Sequence, residues 1–386
     1  MSVRGQLSEE QLAALERAFA GTEPWSFESY GPLLGFANAI PRLNLPDLPA
    51  FLNLGDVLQA LDELRAPTVA AWPTHETVTA TTLEGLGYAS TSAAITRVRD
   101  ANAAAWREHG VNNKQLLLQG AERATGPRAV VIGAGKLYDI PLRKLAERFE
   151  QLLLVDIDAA ALAESVKHAD LEPKLQARLS LVQTDVTGIN DAFLERAGAA
   201  LALASEAEVY AALLRLLYEY RLDEPPRLFP ESVASGPLDF ACSSMVLSQL
   251  ATPLTHYVEQ HFAARFPASQ RTQAHEFRIA LGQFAHRVQH AHVRSLLAAA
   301  PCVALTSDIT DQYIGFDARG ALLNGLPLPL IGAPSLDMLV PRQLARSVLT
   351  AEWQWRHVVP SRGKPHGRTV QVAGVVAERA ERAEHK

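Results

Sequence analysis

Pro127-Arg-Ala-Val-Val-Ile-Gly-Ala-Gly-Lys-Leu-Tyr-Asp-Ile-Pro-Leu-Arg-Lys-Leu-Ala-Glu-Arg-Phe-Glu-Gln-Leu-Leu-Leu-Val-Asp-Ile-Asp158 decides the fold. Ala129 to Ile132 is a short apolar run and predicts a strand. Gly133-Ala134-Gly135 predicts a tight turn, since glycine lets the backbone turn sharply and approach a ligand closely. Pro141 and the spacing of Leu142, Leu145 and Phe149 predict a helix. Leu152 to Val155 predicts a second strand ending on Asp156. Strand, glycine turn, helix and acid-tipped strand form the first half of a nucleotide-binding sheet, with a ligand's ribose against the second strand's end. A dinucleotide fingerprint carries a third glycine where Tyr138 stands, which weakens the pyrophosphate reading.

Alternation continues downstream. A short helix is expected from Ala159 to about His168, and a third strand from Leu179 to Gln183 ending at Thr184-Asp185. Residues 190 to 222 read as helical, and Leu238 to Cys242 as a fourth strand. A long helix follows over about 269 to 298, then a fifth strand from Cys302 to Thr306. Two β-like runs, Trp353 to Val359 and Thr369 to Ala377, read as a hairpin closed through Ser361 to Gly367. The expected architecture is α/β: Rossmann-like, doubly wound, a mostly parallel seven-stranded sheet with a C-terminal antiparallel hairpin and an N-terminal helical cap. The cap is expected over residues 1–120 and the α/β domain over 121–386, with a helical insertion at about 190–230. Within the cap, Ser8 and Gln11 make a capping-box pattern. A second amphipathic helix starts near Thr91, with Gly110 as its C-terminal cap.

The 386 residues are 48% hydrophobic and 20% charged, with net charge -6. No basic excess points to a nucleic-acid partner. No stretch nears the roughly 18 apolar residues of a membrane span, and no signal peptide is evident, so a cytoplasmic protein is expected. Cys242 and Cys302 sit in apolar runs and read as buried free thiols. His286 and His290 are spaced to share a metal, but Arg287 stands where H-E-x-x-H has its glutamate. A polar helix face is the simpler reading, and no metal is expected. Trp353 and Trp355 share one face of a strand and read as packing. His357 and His366 in the hairpin are candidates to line a pocket.

The segment from about Gly126 to Thr310 resembles the class I S-adenosylmethionine-dependent methyltransferases. Motif I resembles Val131-Ile132-Gly133-Ala134-Gly135, and the acidic end of the second strand resembles Leu154-Val155-Asp156-Ile157-Asp158. The third-strand motif resembles Val182-Gln183-Thr184-Asp185-Val186. The fourth resembles Asp239-Phe240-Ala241-Cys242-Ser243-Ser244-Met245-Val246-Leu247-Ser248-Gln249-Leu250. The resemblance implies S-adenosyl-L-methionine as cofactor. Its site would be built from Gly133, Ala134, Gly135, Asp139, Asp156, Ile157, Asp185, Val186, Ser243 and Ser244. It implies methyl transfer to a small-molecule or peptide-like acceptor.

Three positions stay open. The family's motif I often has an acid two residues before the first glycine, where Val131 stands. Asp139 either replaces it at the methionine amino group or caps the following helix. Asp185 either faces the adenine amino group or caps a turn. Asp308, in Ser307-Asp308-Ile309-Thr310-Asp311, is the candidate base or acceptor-orienting group beside the reading of a solvated turn aspartate. The alternatives are an aminopropyltransferase, a nicotinamide-dependent oxidoreductase, or a non-catalytic binding protein on the same fold.

Overall fold

A computed structural model describes residues 80–220, 222, 236–269, 271–316, 322–331, 336–360 and 366–380. The capping box at Ser8, most of the expected cap and part of the helical insertion lie outside these residues. The N-terminal helices in view are α1 (Ala80–Gly85), α2 (Tyr88–Ala101) and α3 (Ala103–Arg123). The α/β unit follows as β1 (Arg128–Ile132), α4 (Leu142–Arg148), β2 (Gln151–Asp156), α5 (Ala159–His168), α6 (Pro173–Gln176) and β3 (Leu179–Gln183). Next come α7 (Asn190–Leu201), α8 (Glu206–Glu219), β4 (Phe240–Ser244), α9 (Thr252–Arg265), α10 (His275–Ala299) and β5 (Cys302–Phe316). The short β6 (Leu322–Asn324) and β7 (Leu328–Pro329) precede the hairpin of β8 (Ala345–Val358) and β9 (His366–Arg379).

The sheet order is β3-β2-β1-β4-β5-β9-β8, with β6 and β7 paired to β5 off this path. Pairing is parallel from β3 through β5, and β9 is antiparallel to both β5 and β8. The expected seven-stranded sheet with its closing hairpin is therefore present.

Strand alternation feeds two cores. Val130, Ile132, Leu153 and Val155 face α7 to α10, packing with Phe193, Leu213, Val258 and Phe284. Ala129, Val131, Leu152, Leu154 and Phe240 face the other way, against Leu116 and Leu117 of α3, Leu145 of α4 and Leu162 of α5. Period-two alternation in strands buried on both faces requires apolar residues at nearly every position, as these runs have.

Helix α3 differs from expectation. It runs straight through Gly110, and the break falls at Asn102. There the Asn102 side-chain amide donates to the Val98 carbonyl at 2.8 Å, and its Oδ1 accepts from Val359 N at 3.0 Å. The side chain thus ends α2 and ties it to the hairpin, doing the work expected of a C-terminal glycine. The boundary expected at residue 120 falls inside α3, which lies tight on the sheet. A Cβ on Gly120 would come within 3.0 Å of Ala304 Cβ and of Phe240 Cε2.

Strand β5 also runs past Thr306 to Phe316, well beyond its last parallel pair with β4 at Ser244. Polar residues mark its upper half, but β9 continues to pair with it on one side while β6 and β7 take over on the other. The upper parts of β5, β9 and β8 stand as an antiparallel wall above the carboxyl ends of the parallel strands. Among the described residues no helix is long and apolar enough to cross a membrane.

Candidate functional site

The candidate residues converge at the carboxyl ends of the parallel strands, where open α/β sheets bind ligands. Gly133 and Gly135 follow β1 with φ of 74° and 38°. A Cβ on Gly133 would lie 1.8 Å from Val246 Cγ2 and 2.9 Å from the Ser244 carbonyl. Only glycine fits there. Leu137 also has positive φ, 57°. Ala134 is buried, and its N–H joins that of Gly133 in donating to the Val155 carbonyl, which fixes the turn against β2.

Asp156 ends β2 beside this turn. Its Oδ2 accepts from Gly135 N at 2.8 Å and its Oδ1 from Asp158 N at 2.9 Å. The Ile157 backbone N–H also lowers its carboxyl, and a carboxylate with about four acceptor positions keeps room for a ligand hydroxyl. Burial pushes the carboxyl up to about 6 against the pull of those N–H donors. Ile157 follows, with its carbonyl taking the Gln183 amide at 3.1 Å.

Asp185 presents the opposite picture. Its Oδ1 accepts from Thr187 N at 2.9 Å and the Thr187 hydroxyl at 2.5 Å. Its Oδ2 accepts from Ile189 N at 3.0 Å and Asn190 N at 2.9 Å. All four acceptor positions are spent within the turn that enters α7, so the turn-capping role is the one realised. Val186, buried beside it, belongs to the core that faces α7.

The neighbouring Asn190 was not foreseen as a site residue. It is 2% exposed, its Nδ2 reaches the Tyr88 hydroxyl at 3.4 Å, and its Oδ1 has no partner. Tyr88, at the start of α2, has its phenol pushed up by burial and by the Asp185 and Asp156 carboxylates. Its side chain packs against the core cluster that holds Val155, Val182 and Val186. Sequence offered one trace of this, an aromatic placed between Gly87 and a helical run.

The end of β4 splits across the sheet. Ser243 points to the α10 side, where its Oγ lies 3.0 Å from His292 Nε2 in the fully buried core. Ser244 points to the α3 side and accepts from Asn113 Nδ2 at 2.9 Å. The same Nδ2 donates to the Asp139 carbonyl at 3.0 Å. The Asp139 carboxylate does not cap α4, whose N-cap is Pro141 with no side-chain bond. Instead its Oδ2 lies 3.5 Å from Ser244 Oγ and 3.7 Å from His109 Nε2. His109 in turn accepts from Trp353 Nε1 at 3.1 Å and stacks on Trp355 with centroids 4.0 Å apart. Trp106 and His357 complete the cluster, and the Trp106 indole donates to the His357 carbonyl at 2.9 Å. The expected packing role of Trp353 and Trp355 holds. His109 and Asn113 escaped sequence reasoning, although they sit with Leu116, Leu117 and Gly120 on the buried stripe of α3. Two polar residues on an apolar stripe are the signal that marks them.

Asp308 is not a solvated turn residue. It lies within β5, buried, in register with Val372 and through it with Trp353. The Ser248 hydroxyl donates to it, as does Ser307 Oγ at 3.4 Å. Burial raises its carboxyl, partly offset by Ser248 and Arg368.

The histidines of α10 do not form a polar face. His286 and His292 are buried, and burial lowers them to about 3 and about 4. No group of three or more metal-ligating side chains occurs among the described residues. Cys242 and Cys302 are buried free thiols. A cavity of about 310 Å³ between Leu336, Thr350 and Gly374 includes none of the candidate residues.

No family model and no curated relative matches the chain. Solved structures resemble it at low identity. The N-methyltransferase NodS from Bradyrhizobium japonicum WM9 is 10% identical, covering 72% of this chain and 98% of that one with a TM-score of 0.33. The glycopeptide N-methyltransferase MtfA complexed with S-adenosyl-L-methionine is 9% identical, covering 69% and 87% with a TM-score of 0.32. A SAM-dependent methyltransferase from Aquifex aeolicus is 10% identical, covering 74% and 97% with a TM-score of 0.33. Scores of this size carry no argument, and the fold rests on strand order and site geometry. A sheet ordered β3-β2-β1-β4-β5-β9-β8 with β9 alone reversed on that path, a glycine turn on β1 and an acid closing β2 make this a class I methyltransferase-like fold.

Proposed function

We propose that the protein binds S-adenosyl-L-methionine across the glycine turn and transfers its methyl group to a small-molecule or peptide-like acceptor. The observation that carries this reading is Asp156, a strand-end carboxylate braced on the glycine turn with acceptor positions to spare. That arrangement suits a ribose diol. Asn190 Oδ1, buried and unpartnered, takes the adenine amino group that Asp185 has no capacity to accept. Asp139 faces the amino-acid end.

The cofactor supplies an electrophilic methyl on a sulfonium, a good leaving group. The protein's part is alignment and exclusion of water, and a base is needed only for an acceptor that starts protonated. The upper wall of β5, β9 and β8 bounds the acceptor side. There Trp355 Nε1 and His357 Nδ1 are buried without partners, so an acceptor with its own polar edge would satisfy them. Asp308 lies in register with this wall and orients the acceptor or takes its proton.

Calorimetric titration with S-adenosylhomocysteine, and with NAD and NADP in parallel, tests the reading. Saturable binding of S-adenosylhomocysteine alone is expected. Binding of NAD or NADP without S-adenosylhomocysteine would replace this function with nicotinamide chemistry.

A further inference from the structure

Motif I of this fold has lost its acid at Val131, which is fully buried in the apolar core and offers no polar atom. Two segments remote from the glycine turn, α3 and the terminal hairpin, converge on Asp139 just past that turn. Asn113 is 0% exposed, and its amide orientation is fixed because Nδ2 donates to the Asp139 carbonyl, an acceptor only. Its Oδ1 is left buried and without a partner, which is costly unless a ligand donor meets it. The Asp139 side chain beside it is 23% exposed, so one edge of the carboxylate remains open.

His109 lies beside the other edge. An indole N–H can only donate, so His109 Nδ1 must be the bare nitrogen of the neutral ring. The proton then sits on Nε2, which faces Asp139 Oδ2 at 3.7 Å. Stacking on Trp355 prevents the ring from turning away.

We infer that Asn113 and Asp139 together seat a primary ammonium group of the ligand, with His109 as the positioning residue for Asp139 and Trp353 as the group that sets the His109 tautomer. Resting on the cofactor reading above, this assigns the ammonium of the methionine moiety to a site built by α3 and the terminal hairpin rather than by motif I. Two oxygen acceptors converge on one cation, and none of the three supporting side chains belongs to the nucleotide-binding unit.

The test pairs two probes on the full chain by calorimetry. S-adenosylhomocysteine carries the amino-acid end, and 5′-methylthioadenosine lacks it. Asn113→Ala is expected to weaken S-adenosylhomocysteine by about tenfold or more, the scale of a lost charge-assisted hydrogen bond. 5′-Methylthioadenosine binding should not change. Trp353→Phe keeps an aromatic side chain but removes the indole N–H with the five-membered ring, and should weaken S-adenosylhomocysteine selectively by a smaller factor. Equal losses for both probes, or no loss for either, would overturn the assignment while leaving the cofactor reading intact. A wild-type protein that binds neither probe would overturn the cofactor reading and this assignment together.

Discussion

Gly133→Ala offers the sharpest test of how the turn is built, because it needs no ligand. Two costs add at this residue. Its φ of 74° lies in the left-handed region, which costs a Cβ-bearing residue about 1–2 kcal/mol. The new Cβ would also stand 1.8 Å from Val246 Cγ2, and relieving such overpacking costs about 1–3 kcal/mol. The sum is about 2–5 kcal/mol, a large fraction of a typical folding stability. Val246 is half-buried, so Val246→Ala alone should cost only about 1 kcal/mol. In the Gly133→Ala background the same truncation removes the obstructing methyl. The double variant should therefore be more stable than the sum of the single effects by about 1–3 kcal/mol, since residues in contact do not act additively. The left-handed cost and the approach to the Ser244 carbonyl at 2.9 Å would remain. Urea unfolding followed by tryptophan fluorescence measures all four corners of this cycle. Strictly additive single effects, or a Gly133→Ala protein as stable as wild type, would refute the turn geometry.

Three further outcomes follow from the acids and amides around that turn. Asp156 is raised from 3.8 to about 6, so it disfavours the folded state once ionised. Its contribution is fully present below the unfolded value and is lost as pH rises through about 6, so wild-type stability measured by urea unfolding should fall as pH rises from 3.8 through about 6, and Asp156→Asn should remove that fall. Ligand hydroxyls donate to the charged carboxylate, so S-adenosylhomocysteine affinity should fall as pH drops below about 6, and a flat wild-type profile from pH 7.5 to 5 would contradict this. Asn190→Ala should erase any preference for S-adenosylhomocysteine over its inosine analogue, measured by competition; a preference that persists would return adenine recognition to another group.

Most of the parallel sheet was readable because its strands are buried on both faces, which forces unbroken apolar runs such as Leu152 to Val155. The glycine turn was readable because no other residue type tolerates its backbone and its clearance. Two of the features that escaped prediction share one physical cause, that polar groups are satisfied from far along the chain. β5 appeared to stop at Ser307-Asp308, yet continues because Asp311 meets Arg368 of β9 at 2.8 Å and β9 supplies a full ladder. Gly110 resembled a helix end, but Asn102 ends the previous helix with a bond that depends on Val359. Asp185 looked like a ligand residue because strand-end acids usually are. Only the neighbouring N–H groups, placed by the turn at Gly188, reveal that its capacity is used up.

The same logic explains why the amino-acid end of the site was hidden. A local motif is visible when its partners lie within one strand-turn-helix unit, as Asp156 and Gly135 do. Val131 breaks that locality. With a buried valine at Val131, the cofactor reading proposed above requires the ligand's ammonium to be met from elsewhere, and α3 is the helix packed against that end of β4. Placing Asn113 and His109 there costs α3 two positions of its apolar stripe. That cost is offset only when each polar atom is paired, since a buried unpaired group forfeits about 1–3 kcal/mol. Trp353 pairs one nitrogen of His109, and Ser244 and the Asp139 carbonyl take the Asn113 amide. Asn113 Oδ1 is left over, as are Trp355 Nε1 and His357 Nδ1 in the cluster beside it. A helix that spends core positions on polar side chains and leaves the Asn113 Oδ1 acceptor buried and unpaired, beside a partly exposed carboxylate, suits a donor that arrives with the ligand.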